Sequence, residues 1–118
     1  MAYPIFPELH RDRRGYPFYG PELSAAPDIY VTDGVPLAEK TVHARYFLGE
    51  SSWMIFETDK ETGMAFGFAM LNGDAQNAEM GYIDIMHLEG TSTDLGAVIQ
   101  RDTEWQPRPF GEVDPRND

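Results

Sequence analysis

The sequence contains no cysteine, which excludes disulfides, thiolate nucleophiles and cysteine-ligated metals. No stretch approaches the roughly 18 apolar residues of a membrane span. The opening MAYPIFPELHRDRRGYPFYG lacks the apolar core of a signal peptide, so a cytoplasmic chain with no membrane partner is expected. Three signatures are also missing: G-x-G-x-x-G, G-x-S-x-G and H-E-x-x-H. Their absence leaves nucleotide binding, a hydrolase elbow and a zinc helix without support.

Bases are scarce. Nine Lys and Arg face 20 Asp and Glu, a formal charge of -11. Residues 1–20 hold Arg11, Arg13 and Arg14 against Glu8 and Asp12, so the body carries the acid. Such a body repels nucleic-acid backbones and anionic lipid and favours basic protein surfaces or cationic ligands. Solubility alone is the bland reading of the same charge.

What is present suffices for one core. The 118 residues are 42% hydrophobic and 13% aromatic, enough for a single folded domain. Three segments are expected: an extended proline and aromatic arm over 1–20, one α+β domain over 21–113 and a flexible tail over 114–118. The arm holds Pro4, Pro7 and Pro17 with Tyr3, Phe6, Tyr16, Phe18 and Tyr19, so its backbone should be extended while its rings seek a surface. Proline at the first position sets a short helix over 21–26.

The expected fold is a single antiparallel sheet of about five strands with short helices. A short strand is read at Ile29–Val31, and a longer one from Thr41 in which Val42, Ala44, Tyr46 and Leu48 share one face. Trp53–Thr58 and Met64–Leu71 form a hairpin across DKETG, whose glycine supplies a positive φ. Ala65, Gly67 and Ala69 place small side chains on one face, which lets covering elements approach. Met80–Ile83 is the fourth strand, Asp84 caps a helix over Ile85–Glu89, and Val98–Trp105 is the last strand. The stretch QPRPFGEVDPRND is read as an extended tail.

Four blocks carry a resemblance: IYVTDGVPLAEKTVHARYF, FETDKETGMAFGF, EMGYIDIMHLE and VIQRDTEWQPRPFGEV. Together they resemble the domain-of-unknown-function family 2958 of bacterial, plasmid and phage proteins, over about residues 21–113. Tyr30, Thr32, Asp33, Val35, Pro36, Leu37 and Lys40 match the first block, and Glu57, Asp59, Phe66 and Gly67 the next. Glu79, Gly81, Tyr82, Leu88 and Glu89 follow, then Arg101 and Asp102. Asp84-Ile85 departs from the family's Ser-Leu, and Gln100 from its glutamate. The resemblance implies a mobile-element setting and supplies no catalytic residue.

Arg101 and Asp102 with Glu79 and Tyr82 form the most distinctive polar set. One reading pairs Arg101 across the sheet with Glu57 or Glu79 to fix register; the other makes the four a small ligand-binding or enzymatic site. His43, Asp84 and His87 lack any specific metal spacing, and neither a metal nor a cofactor is expected. The preferred function is a non-enzymatic accessory protein of a phage or plasmid that binds and modulates a host protein, without direct nucleic-acid contact. Its binding residues are expected in the arm (Tyr16, Phe18, Tyr19) and among the acids of the hairpin (Glu57, Asp59, Glu61). An acidic DNA mimic that inhibits a nucleic-acid-binding host protein is the alternative.

Overall fold

The apolar alternation between residues 41 and 84 builds a twisted antiparallel sheet greasy on both sides. In the computed structural model, which describes residues 1–117, that sheet has five strands in the order β5-β4-β3-β2-β6. They are β2 (Ala44–Leu48), β3 (Ser51–Thr58), β4 (Met64–Met70), β5 (Glu79–Asp84) and β6 (Gln100–Arg101). A second, two-stranded sheet pairs β1 (Thr41–Val42) with β7 (Arg108–Pro109). Four short helices complete an α+β architecture: α1 (Arg11–Arg14), α2 (Glu22–Ala25), α3 (Ile85–Gly90) and α4 (Phe110–Val113). No helix is long and apolar enough to cross a membrane among the described residues.

The hairpin β3–β4 is the centre, and Gly63 at φ 81° makes its turn. On one face Ala44, Tyr46, Ile55, Ala65 and Ile83 meet the arm residues Tyr3, Phe18 and Tyr19, with Leu23, Ile85, Leu88 and Ile99. On the other, Met54, Phe56 and Phe68 meet Val42 and Phe110. The small side chains expected on β4 lie on the first face, where Tyr3 and Phe6 crowd over the turn. At Gly67 an added Cβ would sit 2.0 Å from the Met54 carbonyl oxygen.

The arm is not simply extended. Residues 11–14 turn into α1, closed by Gly15 at φ 81°, because this turn aims Arg14 into the core. Its guanidinium donates to Glu89 Oε2 (2.7 Å), the Glu89 carbonyl (2.8 Å) and the Ile99 carbonyl (2.6 Å). Glu89 in turn accepts the N–H groups of Leu9 and His10, each at 2.9 Å.

Four other expectations need correction. Residues 29–31 are turn rather than strand, since Tyr30 takes φ 76° and its N–H goes to Glu57 instead of a ladder. The strand from Thr41 breaks at His43, which sends Val42 to the second core while Ala44 and Tyr46 serve the first. The strand over Val98–Trp105 shrinks to two residues. Asp102 ends it by accepting the Glu104 N–H (3.1 Å) on its carboxylate, and Trp105 swings across to donate to the Val42 carbonyl (2.9 Å). The C-terminal stretch is not an extended tail: Phe110 is buried against Phe56 and Phe68 at ring separations of 5.7 and 4.7 Å. Within the expected flexible segment, Arg116 pairs with Asp114 at 2.6 Å and lies over the Phe68 ring, while Asp118 falls outside the described residues.

Candidate functional site

A β-bulge decides where the polar chemistry lies. Ile55 pairs with Gly67 and Glu57 with Phe66, so Phe56 is the extra residue. An unbroken alternation would put Glu57 beside Trp53 and Ile55 on the arm face. The inserted residue turns it to the opposite face, as bulges commonly re-aim a side chain. There its buried carboxylate accepts the N–H of Tyr30 (3.0 Å), the N–H of Thr32 (2.8 Å) and the Thr32 hydroxyl. Lys40, also buried, reaches the same loop and donates to the Thr32 carbonyl (2.6 Å) and hydroxyl (3.0 Å). The strained Tyr30 backbone is therefore held from beneath by Glu57, with Lys40 closing the loop from the other side.

This clasp displays an aromatic pair. The Tyr30 and Tyr82 hydroxyls are 2.7 Å apart, and the Tyr82 ring meets Phe66 edge-on at 5.6 Å and 77°. Tyr30 and Tyr82 are 65% and 58% exposed. The hydrogen bond to Tyr30 pushes the Tyr82 phenol up, and partial desolvation and the nearby Tyr30, Asp33 and Glu57 act in the same direction. The corner is electronegative and solvent-facing. Among the expected residues it takes in Tyr82 and Glu57, the latter as a buried support rather than a displayed binding group.

The expected four-residue polar site does not assemble. Arg101 and Asp102 belong to the β6 edge and Glu79 and Tyr82 to β5, the opposite edge. Four interstrand spacings, roughly 19 Å, separate them. Nor does Arg101 pair with Glu57 or Glu79. It donates to Glu22 through Nε (2.7 Å) and a terminal nitrogen (3.2 Å), and to the Pro17 carbonyl (3.1 Å), which locks the arm onto β6. The Glu22 carboxylate raises the Arg101 pKa. Gly20 leaves room for that pair, since a Cβ there would sit 1.9 Å from Glu22 Oε1. Asp102 faces Arg45 at 3.5 Å.

Of the arm residues expected to bind a partner, Phe18 and Tyr19 are buried in the first core. Their hydrophobicity is consumed inside the fold. Tyr16 is half-buried, with its hydroxyl on Gln100 and accepting the Arg101 N–H at 3.1 Å. Asp59 caps the hairpin turn: the N–H groups of Glu61 and Thr62 hold its carboxyl below the usual range. Glu61 and Glu79 are exposed. Asp84 caps α3 by accepting the His87 N–H, and no cluster of three metal-ligating side chains occurs among the described residues.

Two features escaped sequence reasoning. The Tyr30–Tyr82 pair joins residues 52 apart, and only their shared presence in the resemblance blocks hinted at it. A cavity of about 480 Å³ between the sheet and the C-terminal segment, lined by Arg45, Glu50, Ser52, Met70 and Arg116, depends on a fold-back that the proline-rich sequence concealed. Both its arginines already hold carboxylates, Asp102 and Asp114. Comparison of the chain with protein-family models, with curated proteins and with solved structures gave no match.

Proposed function

We propose that this chain is a non-enzymatic accessory protein of a phage or plasmid, which binds a basic surface of a host protein and modulates it. One observation carries the reading. All nine bases engage acceptors within the chain: seven in ion pairs, Arg13 on the Gly96 carbonyl and Lys40 on Thr32. Of the nineteen described carboxylates, those seven pairs engage seven and leave twelve without a basic partner. The excess of unpaired carboxylates makes the net outward field negative, and it favours a cationic partner through steering and complementarity. The mobile-element setting comes from the resemblance of residues 21–113.

The test is affinity purification of the tagged protein from its host. At about 0.1 M salt a partner should be retained. At about 0.5 M, where screening acts over only a few ångströms, it should be released. Replacing Asp33, Asp74 and Glu79 by their amides should weaken capture while leaving the fold intact. A partner that stays bound at high salt and ignores the amide substitutions would sink the proposal. A captured protein that binds DNA, and that DNA displaces, would select the mimic form of the same reading.

A further inference from the structure

The two edges of the five-stranded sheet are treated differently. At β6 the arm occupies the outer groups: Arg14 takes the Ile99 carbonyl, Tyr16 accepts the Arg101 N–H, and Arg101 grips Pro17. Nothing comparable covers β5 among the described residues. The Asp59 N–H donates to the Met64 carbonyl, so Met64 faces β3, and alternation along β4 then turns Ala65, Gly67 and Ala69 toward β5. Their partners Ile83, Gly81 and Glu79 face inward, leaving the N–H and C=O groups of Met80 and Tyr82 pointing outward. Among the described residues these groups have no intramolecular partner.

Edge strands in monomers are usually blunted by charged side chains, especially lysine, by proline or by a bulge; β5 has no lysine, proline or bulge, and its two charges, Glu79 and Asp84, stand only at its ends. Its six residues, EMGYID, pair with β4 in unbroken register. Met80 is 42% exposed and stands beside the Tyr30–Tyr82 pair. Resting on the functional reading above, we propose that the β5 edge captures an extended basic segment of a partner protein as a sixth strand, with a Lys or Arg side chain seated on the Tyr30–Tyr82 rings. Main-chain pairing supplies the grip in such strand addition, and side-chain pockets supply the choice. Asp84, on the same face of β5 as Tyr82, and Asp33 by the rings match positive side chains, and cation–π contact on tyrosine adds selectivity. A second copy fits this edge poorly, because each copy brings -11 of charge.

The test uses the intact chain with a short alternating Lys-Val peptide and its Glu-Val counterpart. The Lys-Val peptide should bind saturably and slow amide exchange at Met80 and Tyr82 by about tenfold or more, whereas the Glu-Val peptide should not bind. Met80→Pro removes an outward donor without touching the β4 ladder and should weaken binding by about tenfold, the loss expected when a main-chain hydrogen bond cannot form. Exchange on the unaltered chain keeps the test independent of whether that variant folds. Lys-Val binding without protection at Met80 and Tyr82 would overturn the edge assignment and leave the acidic-surface reading standing. Failure of the peptide to bind, with a host partner still captured and released by salt, would do the same. Protection of the same amides by concentration-dependent self-association would assign the edge to a second copy and overturn the proposal.

Discussion

Replacing Arg14 by alanine is the sharpest test of how the arm is fastened. Both side chains of the Arg14–Glu89 pair are out of solvent, at 0% and 2% exposure. The substitution deletes three donated hydrogen bonds and the stacking of the guanidinium over Phe18 at 4.1 Å. It also leaves the Glu89 carboxylate buried with only the Leu9 and His10 N–H groups. Breaking one side of a buried pair costs about 3–5 kcal/mol. For a chain of 118 residues the unfolding entropy is about 0.25 kcal/mol/K, so the melting temperature should fall by about 12–20 °C. Thermal unfolding followed by circular dichroism reads this directly. A fall below about 4 °C, equivalent to about 1 kcal/mol, would show that water reaches Glu89 and that the arm is not a structural member. Acid dependence gives a second handle. Burial pushes the Glu89 carboxyl up, but the Leu9 and His10 N–H groups and Arg14 outweigh it and hold it below its ordinary value. A depressed folded value means that this stability is present above the unfolded pKa, about 4.3, and is lost as pH falls through the folded value. Glu89→Gln should therefore be weaker at neutral pH and show a shallower further loss in acid than the parent chain.

Gly67→Ala should destabilise the central hairpin by at least about 1–3 kcal/mol, because the Met54 carbonyl oxygen 2.0 Å from the new Cβ is backbone and cannot move aside; urea unfolding checks it, and an unchanged midpoint would refute the close approach. Phe110→Ala should cost about 3–5 kcal/mol and release the C-terminal segment to proteolysis, since its ring is the fully buried anchor of α4, seated between Phe56 and Phe68. Burial raises the phenols of Tyr3, Tyr19 and Tyr46. Their stabilising share is present below the unfolded value near about 10 and is lost as pH rises through the folded values. Ultraviolet titration should then show these three of the six tyrosines ionising late and together with alkaline unfolding; smooth titration of all six near the ordinary value would refute their burial.

The hairpin was legible because dense apolar runs flanked a turn ending in glycine, and the caps of α3 and the 21–26 helix followed from Asp84 and Pro21. The rest depended on side chains acting at long range. Asp102 reads as a polar position in a strand, yet its carboxylate captures the Glu104 N–H and ends that strand. The proline-rich C-terminal stretch reads as extended, but one phenylalanine finds a core. The arm's rings signalled that they would pack, but nothing local signalled that Arg14 would follow them inside, because the groups that make its burial tolerable, Glu89 and the Ile99 carbonyl, lie 75 and 85 positions away. For the candidate site the missing step was the bulge at Phe56. A single inserted residue reverses the face of Glu57, and no periodicity count could locate it.

That reversal ties the scattered resemblance blocks to two separate tasks. Tyr30, Thr32, Lys40, Glu57, Phe66 and Tyr82 come from all but the last block and meet at one corner of the sheet, each touching another of the set. Arg101, from the last block, lies on the far edge and holds the arm through Glu22 and Pro17. One group thus closes an edge, and the other holds a strained loop and two exposed rings beside an edge left open. A buried charge, even one as well hydrogen-bonded as Glu57, is often no more stabilising than a well-packed apolar side chain, so what its three hydrogen bonds secure is the turn at φ 76°. The clasp is therefore better explained by what it holds at the surface than by what it contributes to the core, and under the proposed reading a partner would meet the β5 side of the molecule rather than the aromatic arm.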